Sequence, residues 1–209
     1  MREAQSAAAR RYHHGDLRRA LVDAARRLLE AEGPSALSLR AVAREAGVSP
    51  AAPYHHFKDK AELLDAVAQE GWDILQTQMS EAKQKAEGLH QLTALGIAYV
   101  RFARENPALY RVMYDAARDR EALPMDVKER DDSAYCMVRD TMIEHGADPG
   151  ADQDLELATI SAWCGAHGLA EMAGFRQFDH MKDRLGGEDV FVEQVLEHMG
   201  QFPRRKDCG

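Results

Sequence analysis

Between Leu37 and Leu64 the chain reads LSLRAVAREAGVSPAAPYHHFKDKAELL, a run that gathers side chains suited to gripping a nucleic-acid duplex. Tyr54, His55 and His56 can donate hydrogen bonds to phosphates or base edges. Lys60 brings an ammonium to the start of a helix, whose free N–H groups also suit a phosphate. Ala51 and Ala52 are small enough to let a helix backbone approach a groove, and an alanine methyl can meet a thymine methyl. With Phe57 and Val48 pinning the segment inward, Pro50, Ala51, Ala52, Tyr54, His55 and His56 are left to look outward or partly so.

A second set lies in the later two-thirds of the chain. Tyr99, Phe102, Tyr110, Met113 and Tyr114 bring aromatic and sulfur groups onto two adjoining helices, and Tyr135 and Met137 sit on another. Trp163 and His167 are four residues apart, hence on one helical face. An apolar cavity with a few convergent polar groups is the usual build of a small-molecule site, and His167 with the tyrosine hydroxyls would be those groups. The same spacing equally suits plain helical core. Cys164, three residues before His167, can act as a redox-sensitive thiol if an imidazolium lies beside it, or simply be buried. No HExxH or comparable ligand pattern appears, so neither a metal nor a cofactor is expected. No phosphate loop, nucleophile elbow or catalytic dyad stands in a convincing setting, so an enzyme using the cavity is the weaker alternative.

These residues need helices to position them. Asp16 is placed to cap a first helix that Gly33-Pro34 stops, with Leu17, Leu21, Ala25 and Leu28 on one face. Ser38 caps a second, with Leu39, Val42, Ala43 and Ala46 on its inner stripe. Gly47 supplies the left-handed residue that turns the chain. Ser49 caps a short third helix with Pro50 in its first position, closing at Phe57. Pro53 removes an N–H from its first turn, so this helix should be tighter at its start. Few side chains there can read bases by hydrogen bond, so methyl contacts, the N-terminal arm and DNA shape should carry much of the specificity. Asp59 caps a fourth helix running from Lys60 into the eighties, with Leu64, Val67, Ala68, Gly71 and Leu75 in phase. Further helices are expected at about 89–105, after Pro107, and at about 122–145, 151–175 and 187–200. The fold class is all-α, about nine helices, with no strands.

Charge divides the same way. The net charge of −8 hides a first 60 residues with 11 basic and 7 acidic groups, net +4, against a remainder at −12. A basic module on an acidic body suits a DNA binder, because phosphate attraction is screened beyond roughly 8 Å at physiological salt. The expected division is a basic arm at 1–14, a helix-turn-helix unit at 15–60, a ligand-binding and dimerisation domain at 61–203, and a tail at 204–209. Cys136, Cys164 and Cys208 are scattered, which suits a reducing cytoplasm. No apolar run of about 18 residues exists, so no membrane span is expected.

Over about residues 15–65 the chain resembles the TetR family of regulators, on the caps Ser38 and Ser49, the turn AGVS, the run YHHF, and Lys60 with Leu63-Leu64. The resemblance implies that Ala51, Ala52 and His55 face bases while Ser38, Arg40, Tyr54, His56 and Lys60 hold the backbone. Pro53 is a departure, since many members carry leucine or a similar residue there. The segments AYVRFARENPALYRVMYD and WCGAHGL look like a branch with a Trp-His-Gly signature, here Trp163, His167 and Gly168. Family habit implies a repressor released from a palindromic operator by a small-molecule effector; control by protein partners or thiol redox is the alternative. Ala158, Ala162, Gly165 and Leu169 form a second stripe on the Trp163 helix, and Val192, Val195, Leu196 and Met199 one on the last helix. Two such helices from each chain would make a four-helix homodimer interface, or the stripes are internal core. A two-fold dimer would set paired reading heads about 34 Å apart on the double-stranded operator.

Overall fold

The computed structural model describes residues 14–118, 133–148 and 150–200. Among them are nine α-helices and no strand: α1 (His14–Glu32), α2 (Leu39–Glu45), α3 (Lys60–Lys85), α4 (His90–Glu105), α5 (Pro107–Arg118), α6 (Ala134–Glu144), α7 (Asp152–Met172), α8 (Asp179–Leu185) and α9 (Glu188–Gly200). Short 3-10 turns stand at Pro34–Ala36, Ala52–His55 and Arg176–Phe178. The arm expected at 1–14, except His14, and the tail at 204–209 lie outside the described residues. So does the first part of the helix expected from 122.

Internal contacts divide the chain after Val67, within α3, where the sequence suggested a boundary at residue 60. In the first unit, α1 packs on α2. Leu21, Ala24, Ala25, Leu28 and Leu29 of α1 are buried, as are Leu39, Val42 and Ala43 of α2. Ser38 caps α2 as expected, its Oγ accepting from the Ala41 N–H at 3.1 Å. Gly47 closes it with φ 69°, and Gly47 and Val48 donate back to the carbonyls of Arg44 and Ala43. That pair of bonds needs a left-handed residue, and glycine takes the conformation without a Cβ penalty.

Two expectations for this unit are corrected. α1 already includes His14, so Asp16 lies inside the helix rather than ahead of it. The third helix is not an α-helix capped by Ser49. A turn at Pro50–Ala51 leads into the 3-10 segment Ala52–His55, whose cap position is Ala51 with no side-chain hydrogen bond. The cause is Pro53: with no N–H, it cannot donate to the Ser49 carbonyl, which accepts from Ala52 at 3.0 Å instead.

The second unit is built around α4, which packs against α5, α6, α7 and α9, while α7 also meets α6 and α9. Leu95, Tyr99, Val100 and Phe102 of α4, Leu109 and Met113 of α5, and Val138 of α6 are buried in its core. Gly71 lets α3 and α5 close up. A Cβ there would stand 2.5 Å from Met113 Sδ and 3.1 Å from Leu109 Cδ1. α8 was not foreseen. It is a seven-residue helix between Phe178 and Gly186, in the interval between the helices expected at about 151–175 and 187–200, to which no element was assigned.

Candidate functional site

The reading segment is built by burying what holds it and exposing what can touch DNA. Phe57 is 1% exposed, with the Arg18 guanidinium 5.1 Å above its ring, and Pro53 is buried. Tyr54 is 54% exposed, and Ser49, Pro50, Ala51 and His55 are exposed too, while Ala52 and His56 are half-buried. Ser38 and Arg40 are exposed at the start of α2. Asp59 caps α3, its Oδ1 accepting from the Glu62 N–H at 3.0 Å. Lys60 is exposed, and its Nζ donates to the Pro34 carbonyl at 3.0 Å. One of its three donors therefore ties α3 to the 3-10 turn after α1, leaving two for a phosphate.

The candidate ligand residues are brought together only in part. Tyr99 of α4, Tyr110 and Tyr114 of α5 and His167 of α7 join through their polar atoms. Tyr99 Oη lies 3.1 Å from both Tyr110 Oη and His167 Nδ1. It also makes a short contact with Tyr114 Oη, and Tyr110 Oη bonds His167 Nδ1. Trp163 stands edge-on to Tyr99 at 5.2 Å and to Tyr135 at 6.2 Å. Phe102 and Met113 are fully buried core, Met113 against Gly71, and Met137 is half-buried on α6. Burial raises all four tyrosine hydroxyls. Tyr110 is pushed up to about 12 despite the bond from Tyr99, which lowers it. Tyr99 is driven well above the ordinary range by burial and then by neighbouring Tyr114 and Tyr110. Tyr114 is raised by burial and Tyr135 by burial and Glu156. These hydroxyls therefore remain proton donors at any physiological pH.

Trp72 of α3 was missed. It stacks on Trp163 at 6.3 Å and meets Tyr114 edge-on at 5.5 Å. The signal was present: the chain has two tryptophans, and Trp72 lies four residues past Ala68 on the inward stripe.

The stripes expected at a dimer interface are largely engaged within one chain. A Cβ on Gly165 would fall 2.0 Å from Met199 Cε, and one on Gly96 2.9 Å from Leu196 Cδ2. Leu169 and Val192 are buried, Ala162 and Val195 half-buried, and Ala158 exposed. The outward face of α7 instead carries Leu157, Ser161, Cys164 and Met172, all exposed. No described helix is long and apolar enough to cross a membrane.

Comparison with known proteins gives these sites a setting. Residues 21–67 match the model described as bacterial regulatory proteins, tetR family, and residues 92–199 the model for a tetracyclin repressor-like C-terminal domain. The chain is 28% identical over 176 residues to the uncharacterized HTH-type transcriptional regulator YobS of Bacillus subtilis (strain 168), covering 84% of this chain and 88% of that one. A solved protein of unknown function from Rhodococcus sp. RHA1 is 32% identical, with a TM-score of 0.71 over 92% of this chain and 97% of its own. The TetR family transcriptional regulator PfmR from Thermus thermophilus shares the fold, at 20% identity and a TM-score of 0.58 over 88% of this chain and 99% of its own.

Proposed function

We propose, from the premise that the chain belongs to the tetR family of bacterial regulatory proteins, that it is a cytoplasmic homodimeric repressor released from a palindromic operator by a small molecule. A member of that family is a DNA-binding transcriptional regulator and not an enzyme. The observation that carries the proposal is the reading segment, which buries Pro53 and Phe57 and leaves Ala51, Tyr54 and His55 exposed. Ala51, Ala52 and His55 are assigned to base edges; Ser38, Arg40, Tyr54, His56 and Lys60 are assigned to phosphates, with Ser49 and Pro50 at the approach.

The effector site is assigned to the Tyr99–Tyr110–Tyr114–His167 cluster, walled by Trp72, Trp163 and Tyr135, in a chain of the Trp-His-Gly branch. Those polar groups satisfy one another, so an effector has to insert and exchange their hydrogen bonds. A mainly apolar compound with one hydrogen-bonding group meets that demand. α3 carries both Trp72 and Lys60, so a shift at the cluster has a covalent route to the reading unit. For the dimer, the exposed Leu157, Ser161, Cys164 and Met172 of α7 are the better contact face than Leu196 or Met199.

The test uses a duplex selected from a randomised DNA pool by the full-length protein. Tyr54→Phe and Lys60→Ala should weaken every sequence alike, whereas His55→Ala should change which bases are preferred. Identical loss on all sequences from all three variants would sink the division of roles. For the effector, both tryptophans lie in the cluster, so intrinsic fluorescence reports on it directly. A compound that releases the operator while leaving tryptophan emission untouched would place its site elsewhere.

A further inference from the structure

We infer that Pro53 is a specificity-determining positioning residue: by holding Ala52–His55 as a 3-10 turn, it sets which side chains share a face toward DNA. The inference rests on the proposed reading segment. The turn's backbone bonds run mostly over three residues: Ala52 to Ser49 at 3.0 Å, Tyr54 to Ala51 at 3.2 Å and His56 to Pro53 at 2.9 Å. The proline ring is itself buried, so the core clamps the residue that lacks a donor.

Geometry turns this into specificity. A 3-10 turn has about 3.0 residues per turn and rises about 2.0 Å per residue, against about 3.6 and about 1.5 Å in an α-helix. Three faces result. Pro53 holds the core face, Tyr54 takes a second, and Ala52 with His55 eclipse one another on the third. In an α-helix Ala52 and His55 would be turned about 60° apart, and His55 would stand about 40° from Ala51 instead. The turn therefore stacks the Ala52 methyl and the His55 imidazole along one line of the groove. Tyr54 is swung about 120° aside from that line. Pro53 touches no DNA in this arrangement; it acts through the residues it aligns.

The experiment compares the full-length chain with Pro53→Ala, which restores the N–H, and Pro53→Val, which restores it while refilling the apolar slot if the alanine variant unfolds. Each selects from the same randomised duplex pool, and affinities are then measured for single-base variants of the wild-type winner. The positioning role predicts that relative preferences change by about tenfold at one or more base pairs. It also predicts that binding to non-operator DNA stays within about twofold and that the residue-53 amide is protected from exchange. An unchanged preference pattern in a folded variant, with or without uniform loss of affinity, would overturn it. His55→Ala runs alongside. If it leaves preferences unaltered, the reading segment itself is misassigned. If it alters them while both Pro53 variants do not, only the role of Pro53 fails.

Discussion

Two glycines and a tyrosine show how single atoms decide this chain's tolerance. A methyl at Gly71 would press on Met113 Sδ, and Met113 is completely buried with Leu109 beside it. Gly71→Ala should therefore cost about 1–3 kcal/mol in denaturant unfolding, the usual range for overpacking. Gly165→Ala meets only the tip of half-buried Met199, which can swing away, so its cost should be the smaller of the two. Equal losses would mean that Met113 yields as freely as Met199. The tyrosine cluster makes a prediction about pH. Tyr110 rises from the ordinary 10.0 to about 12 in the folded protein. A folded value above the unfolded one means that the stabilisation is fully present below the unfolded value. It is lost as pH rises through the folded one. Thermal unfolding midpoints should hold steady to about pH 10 and fall toward 12, with Tyr110→Phe lessening that fall and the raised Tyr99 and Tyr114 sustaining the rest.

At the scale of elements, the caps test what sequence can and cannot say. Ser38 and Ser49 look alike in the chain, each a serine before a short helix. Only Ser38 makes the cap bond, to Ala41. Ser38→Ala should thus cost about 1 kcal/mol, while Ser49→Ala should stay within about 0.5 kcal/mol, both read by chemical denaturation. The difference traces to Pro53, whose consequence is legible as tightening but not as the loss of the α-helix, because propensity does not reveal which carbonyl will find a donor. Helix ends marked by chemistry were legible: Gly33 after α1, Gly47 after α2 and Asp59 before α3. α8 was not, since seven residues between Phe178 and Gly186 give too few turns for a periodic signal. The aromatic cluster was legible where residues shared a helix face, as Trp163 and His167 do. Trp72's place on the inward stripe was legible, but its pairing with Trp163, some ninety residues away on another helix, was not. The stripes on α7 and α9 make contacts within the chain, Leu196 against Gly96 and Met199 against Gly165, and periodicity alone does not separate such contacts from those of a second copy.

For the whole molecule the decisive quantity is where its charge sits. A chain of net −8 should be repelled by DNA if its charge acted from one point. Its first 60 residues carry +4 and the rest −12, and screening cuts the reach of either to roughly 8 Å at physiological salt. Only groups near the duplex then count, Lys60 and Arg40 among them under the proposed reading, and the acidic body should contribute little. Lowering salt lengthens that reach and lets the body's repulsion return. Operator affinity should therefore fall steeply from about 50 to about 200 mM salt, by the several decades that releasing counterions from six or more phosphates implies for the proposed dimer. Below about 20 mM, where the screening length exceeds roughly 20 Å, the rise should flatten short of that line. Neutralising acidic residues beyond residue 67 should straighten the low-salt limb without moving the high-salt one. A salt response that is flat throughout would mean that phosphates do not lead the binding. One that stays linear to the lowest salt would mean that the body's −12 never reaches the DNA.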